Sequence, residues 1–307
     1  MIENKNKIKI IIDTDNGDDI DDLITLYFAL ANQDKFDIIG IICSYLNAPL
    51  RVNQVKHTLK LFNREDIPVY CGVSKPLGTL HPQPLDTVYC QYTPELGDAT
   101  DFDEERGINF LIDSARKYKD DLIILEIAPQ PTLGRAIQKD KEAFKDTPIV
   151  LMAGAFYKDV NEWNIECDYE SANIVLNSGL NLTYVGLDVT DLTELTNPYY
   201  ENHLLAEYKT PRLAYLSKCS NMWVNYLHRH IVLHDPLTLL TLIDDKLCEF
   251  EYRHVQIIPN EDKTRYYTRI TDNENDPYIK VAKSLDLTRL LENHFIPLFK
   301  EVDKQYE

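Results

Sequence analysis

The chain alternates short apolar runs with segments of helical spacing. "IKIIID" (8–13) is a β-branched run that predicts a strand. "DDLITLYFALAN" (21–32) places apolar residues at helical intervals. "DIIGIIC" (37–43) and "IPVYCG" (67–72) read as strands around a helix at 49–62. The pattern continues with a helix at 105–118, a strand at 121–128, a short helix at 131–140 and a strand at 147–154. A helix at 168–179, closed by Gly179, precedes a strand at 182–189. Continuous apolar strands separated by helices predict an α/β fold: an open, mostly parallel β-sheet flanked by helices on both faces.

The pattern then changes. Residues 210–230 and 235–246 read as helices, and 285–299 as a final helix. Residues 249–284 hold strand-like runs around "PNEDK" and "TDNENDP", which have turn compositions and suit a few antiparallel strands. Residues 73–104, rich in Pro, Tyr, Asp and Thr, form a long irregular stretch of the kind that often carries function. No repeat or low-complexity linker divides the chain, so one domain over 1–307 is expected.

Composition narrows the function class. The chain has 307 residues, is 44% hydrophobic and carries a formal charge of −18. That acidic excess argues against nucleic acid or an anionic membrane as partner. No apolar run reaches the length of a membrane span, and "MIENKNK" lacks the apolar core of a secretory signal. Six scattered cysteines without a CxxC pair suit free thiols in a reducing cytoplasm.

The densest chemistry lies in "IIIDTDNGDDIDD" (10–22), where six aspartates fall within ten residues. Helix capping can account for one or two of them, such as Asp19 or Asp22. A hard divalent cation would offset the repulsion among the rest. An EF-hand reading fails: counting from Asp13, Gly17 is fifth and Ile24 twelfth, where that loop needs Gly sixth and Glu twelfth. A haloacid-dehalogenase-type phosphatase is a weaker alternative, matched by Asp13 and Asp15 but not by Gly17.

"DTDNGDDIDDLITL" resembles the N-terminal signature of inosine-uridine preferring nucleoside hydrolases, in the longer form D-T-D-x-G-x-D-x-D-D. Further segments follow in that family's order. "YLNAPLRVNQV" (45–55) brings Asn47 to a ribose-binding position, and "EIAPQPTLGRAI" (126–137) is similar to the G-P-L-T-N turn. "IVLMAGA" (149–155) with "NEWNIECDYESANIVLNSG" (161–179), and "VLHDPLTLLTLID" (232–244), complete the set. Proline stands at the threonine position of the G-P-L-T-N turn, as Pro131. The family's glycine-rich loop has no counterpart between 80 and 100, where Tyr89, Tyr92 and Asp98 lie. A ribose-binding asparagine is absent or displaced to Asn161.

The resemblance implies an N-glycosidase that cleaves ribonucleosides to free base and ribose, with a Ca²⁺-bound water activated by an aspartate, in nucleoside salvage. It implies Asp15, Asp22, Asp235 and the Pro131 carbonyl as metal ligands, and Asp21 as general base. An ungapped register would put the base at Asp19, but it leaves Ile20 at a ligand position, so the gapped register is preferred and Asp19 stays a candidate ligand. Asp13 becomes a support behind the ligands, and Asp18 has no assigned role. Asn47, Glu162, Asn164 and Asp235 would bind ribose hydroxyls, and Met152 would line the sugar. His234, titrating near neutral pH, would protonate the departing base. Tyr226, His228, His230 and Trp163 are candidates for the base side. A cytoplasmic homodimer or homotetramer is expected. The rival reading is a metal-dependent nucleoside- or ribose-binding protein with little catalysis, because the 80–100 loop departs from the family.

Overall fold

The isoleucine run ahead of the aspartates becomes the central strand. The computed structural model describes residues 7–78, 91–261 and 265–304. In chain order, the first half comprises β1 (Ile8–Thr14), α1 (Asp21–Ala31), β2 (Phe36–Cys43), α2 (Ala48–Leu61), β3 (Val69–Cys71) and α3 (Glu104–Tyr118). β4 (Leu122–Glu126), α4 (Pro131–Asp140), β5 (Ile149–Leu151), α5 (Trp163–Cys167), α6 (Tyr169–Leu176) and β6 (Leu182–Tyr184) follow. Then come α7 (Leu187–Thr190), α8 (Pro198–Leu205), α9 (Pro211–Leu227), α10 (His234–Leu240), β7 (Cys248–Pro259), β8 (Tyr266–Thr271) and β9 (Tyr278–Leu285). The last helical stretch is α11 (Leu287–Leu290), a π turn (Leu291–Phe295) and α12 (Ile296–Lys304).

The strands form one nine-stranded sheet in the order β3-β2-β1-β4-β5-β6-β9-β7-β8. β1 to β6 pair in parallel, and β9 joins β6 in parallel. Only β7 runs against its neighbours, β8 and β9. The pleat explains the isoleucine run. Ile10 and Ile12 face a core packed by α1, α2, α9 and α10, while Ile11 faces a second core packed by α3, α4 and α6. Both faces of the strand are therefore dry, which is why it is apolar throughout.

The order reverses at β1. From there the chain builds outward through β2 and β3, then returns to the other side of β1 through β4, β5 and β6. The carboxyl ends of β1 and β4 flank this reversal, the place where open α/β sheets bind ligands. The aspartate-rich stretch leaves β1 there.

Four expectations change. The strand expected over 182–189 ends at Tyr184, and 187–190 is a helical turn. Gly186 breaks the strand, and Asp188 accepts the Phe156 and Tyr157 N–H groups at 2.6 and 2.8 Å. The sequence reading passed over α8, although Asn197 caps it and Pro198 opens it. The helix expected at 235–246 stops at Leu240 and gives way to turns. The final helix runs on to Lys304, with its π turn immediately before Pro297, whose ring cannot donate to the ladder.

Candidate active site

β1 ends by placing Asp13 inside the protein, fully buried. Its Oδ1 accepts the Ser44 hydroxyl at 2.5 Å, and Ser44 Oγ lies 2.5 Å from Thr132 Oγ1, which accepts the Val73 N–H at 2.8 Å. A side chain at position 72 would meet Ser44 Oγ and Thr132 Oγ1 at 2.5 Å, so this chain of hydroxyls requires Gly72. In the sheet Asp13 stands beside Glu126, also fully buried. Burial drives the Asp13 carboxyl up to about 8 and raises Glu126 strongly. Asp13 is thus buried behind the acidic loop, bonded to Ser44 and beside Glu126.

After Thr14 the chain turns through Gly17, at φ +121°, and enters α1 at Asp21. Capping does not account for the cluster. The N-cap position is Ile20, with no side-chain cap bond, and Asp22 instead accepts the Thr14 hydroxyl. Asp19 accepts the Ile20 N–H at 2.6 Å and pairs with Arg229 at 3.6 Å. That pairing turns Asp19 toward the exposed segment 225–230.

Asp235 comes from the first turn of α10. Its N–H donates to Asp21 Oδ2 at 3.1 Å. Carboxylate oxygens of Asp21, Asp22 and Asp235 all lie within 4.8 Å of one another, and each residue is at most 3% exposed. Burial first, and then neighbouring carboxylates, push all three well above the usual range. Asp15 stands outside this triad, though its charge acts on all three members. It is raised to about 7 by burial, against the pull of Arg51. Three hard oxygen donors this close are compatible with a metal site.

The other candidates divide. Asn47 begins α2 with a left-handed φ of +46°, and its side chain makes no cap bond. Glu162 caps α5, accepting N–H groups from Gly154, Asn164 and Ile165 at 2.9, 2.7 and 3.0 Å, so most of its acceptor capacity serves the backbone. Asn164 spends its amide N–H on the Met152 carbonyl at 2.9 Å and the Ile127 carbonyl at 3.4 Å, leaving Oδ1 without a donor among the described residues. Met152 is buried beside it. Pro131 is buried as the first residue of α4.

His234 opens α10, half-buried, with Nδ1 2.8 Å from Thr190 Oγ1. The near-neutral titration expected of it does not hold. Burial lowers it to about 4, with Arg229 and Lys158 adding to the effect and Asp191 opposing it. Trp163, Tyr226, His228 and His230 are exposed, and His230 pairs with Glu201 at 3.0 Å. Asn161 is engaged by Glu166 and by Arg265. Tyr89 lies outside the described residues. Tyr92 bonds the Gly97 carbonyl, and the Asp98 carbonyl accepts from Asn53.

The sequence reading missed several residues. Gln91, fully buried, donates to the Asp19 carbonyl at 2.6 Å and accepts from Gln54 at 3.1 Å, tying the irregular stretch to the acidic loop. Gln130 and Asn16 are fully buried with unpartnered amides. Arg51 is fully buried against the acidic loop. A lone arginine four residues after Asn47, among apolar neighbours, was the one available signal.

A family model for inosine-uridine preferring nucleoside hydrolases matches residues 10–292. A probable uridine nucleosidase from Arabidopsis thaliana is 30% identical over 91% of this chain and 93% of its own length. A pyrimidine-specific ribonucleoside hydrolase from Shewanella baltica is 28% identical over 78% and 79%. Among solved structures, a plant nucleoside hydrolase superposes with a TM-score of 0.79 at 26% identity, over 97% of this chain and 98% of that one. The buried acidic triad beside the switch point and these matches agree: the chain belongs to the inosine-uridine preferring nucleoside hydrolase family and is an N-glycosidase of ribonucleosides.

Proposed function

We propose that this chain hydrolyses pyrimidine ribonucleosides, uridine foremost, at the buried acidic crevice, with Ca²⁺ as its metal. The carrying observation is the Asp21–Asp22–Asp235 triad at the carboxyl ends of β1 and β4. The pyrimidine assignment is supported by relatives described as uridine nucleosidases and pyrimidine-specific hydrolases. Calcium is supported by an all-oxygen carboxylate set.

In this reading Asp15, Asp22, Asp235 and the Pro131 carbonyl hold the cation. When bound, it supplies positive charge beside the attacking water and the ribose hydroxyls. N-glycosidic cleavage passes through an oxocarbenium-like state, so the chain's residues must orient the sugar, take a proton and release the base. Asp21 takes the proton of the attacking water. Asn47, Glu162, Asn164 and Asp235 orient the ribose through its hydroxyls, with Met152 against the sugar. His234, neutral at neutral pH, hydrogen-bonds the departing base from Nε2 while Nδ1 faces Thr190. A cytoplasmic homodimer or homotetramer goes with this reading; light scattering checks the assembly. Five unpaired cysteines among the described residues support the reducing setting.

A second reading exchanges two roles. Asp21, within 4.8 Å of Asp22 and Asp235, joins them as a ligand, and Asp15, raised to about 7, serves as the base. Asp15→Asn and Asp21→Asn separate the two: the ligand variant loses calcium affinity, and the base variant loses turnover at saturating calcium.

The experiment is ribose release from uridine, cytidine, inosine and adenosine, with calcium and with a chelator. Uridine turnover that stops on chelation is expected. A folded, calcium-loaded protein that cleaves none of the four refutes the reading. Ligand-induced stabilisation without product would favour the binding-protein alternative.

A further inference from the structure

We propose that Arg51 is a positioning residue that locks the metal-holding loop to the ribose-binding turn, so that one guanidinium sets the geometry of both. The inference rests on the site assignments above. Arg51 projects from α2 and is fully buried. Its Nε donates to the carbonyls of Tyr45 at 3.0 Å and Leu46 at 2.8 Å. Nη1 donates to the carbonyl of Asp15 and, at 3.3 Å, to that of Asn16. Nη2 pairs with Asp18 Oδ2 at 2.6 Å. One fork therefore grips the backbone of the loop that carries Asp15 and the backbone of the turn that ends at Asn47.

Both gripped segments have unusual backbones. The first turns through Gly17 at φ +121°. The second holds Tyr45 at +61° and Asn47 at +46°, two left-handed non-glycine residues within three positions. Such a backbone persists only where its surroundings over-determine it. Within the strained turn, the carbonyls of Tyr45 and Leu46 both accept from Arg51. Its charge also draws down the carboxyls of Asp15, Asp18 and Asp22, against their burial. Asp18, the one aspartate of the six without a sequence-derived role, becomes the anchor that orients the fork.

Lysine cannot substitute. A single ammonium carries charge to one point, whereas five acceptors on two segments need the planar guanidinium. The prediction concerns ligand affinity as well as rate. Arg51→Lys in the full chain should weaken calcium binding by about tenfold or more, the range seen when groups behind metal ligands are lost. It should also weaken ribose binding at saturating calcium, and raise KM by a larger factor than it lowers kcat. Asp18→Asn should move all of these in the same direction by a smaller factor. Calcium and ribose titrations by calorimetry, with melting temperatures, read them out. A lower melting temperature with both affinities unmoved would reduce Arg51 to scaffolding and overturn the inference. A calcium shift with unmoved ribose affinity would also overturn it, because the two segments are then not coupled. If Arg51→Lys does not fold, Asp18→Asn decides on the same criteria. A wild-type chain that binds neither calcium nor ribose would sink the site assignment, and this inference with it. Wild-type binding with unmoved variants sinks the inference alone.

Discussion

The residues proposed for the sugar side and those proposed for the base side of the site are built by different means. On the sugar side, Asp13, Asp21, Asp22, Asp235, Asn164 and Glu162 are buried and tied to strand ends, first helical turns or backbone N–H groups. On the side read as facing the base, Trp163 is 42% and Tyr226 53% exposed. His228 and His230 are exposed too. A buried charged group can change only if its neighbours change with it, because an unpaired buried carboxylate is expensive. An exposed aromatic can change almost freely. In the proposed reading, reaction chemistry is thus assigned to residues the fold constrains, and base selection to side chains it leaves exposed.

The largest expected effect tests the constrained side. Asp21→Asn should lower kcat by about a thousandfold or more, as loss of a positioned base does, without lowering the melting temperature of the metal-free protein. A variant within tenfold of wild type, at about 1.4 kcal/mol of barrier, would remove Asp21 from the chemistry. Chelation comes next. Asp13 and Asp15, raised to about 8 and about 7, keep protons in the folded state that the unfolded chain releases near pH 4. The folded state therefore binds more protons between about pH 4 and 8, and metal-free stability falls as pH rises through that window. The melting temperature of chelated protein should be lower at pH 8 than at pH 5.5 by several degrees, and calcium at pH 8 should restore it. A flat or rising metal-free profile would contradict the burial assigned to these carboxyls.

A smaller effect is expected beneath the site. Burial, then Asp13 and Asp15, raise the Glu126 carboxyl well above its usual range, so Glu126→Gln removes a group whose ionisation opposes folding at high pH. The metal-free variant should melt about 1–2 °C above wild type at pH 8, the shift of about 1 kcal/mol in a chain of this size, and gain less at pH 5.5. A loss of stability at pH 8 would show that the carboxylate has a favourable partner. The smallest effects belong to the exposed side. Trp163→Ala and Tyr226→Ala should change stability by less than about 0.5 kcal/mol and alter KM among nucleosides while leaving ribose affinity intact. A large fall in kcat for every substrate would erase the contrast between the two sides.

Much of this was legible in the chain. The strands at 8–13, 37–43 and 121–128 were readable because sheets covered on both faces leave continuous apolar runs. That the acidic site draws on the stretch 13–22 was readable because its aspartates are near neighbours in sequence, and the resemblance at 232–244 drew Asp235 into the candidate set. The three-residue β6 and the helix after Gly186 were not, because in so short a segment tertiary contacts such as Asp188 with the 156–157 backbone override the apolar pattern.

By itself the sequence determined the class of fold, the reaction family and the residues from which an acidic site must be drawn. Tertiary structure alone decided which aspartates converge. Asp21, Asp22 and Asp235 meet because two helices begin at the same sheet edge, and Asp19 turns outward to Arg229. It also decided that His234 is lowered to about 4, by burial first and then by Arg229 and Lys158 from distant positions, against Asp191. Arg51 gained its role in the same way. Periodicity reports which face a residue occupies, but charge and hydrogen bonding act through space between segments that no local pattern brings together.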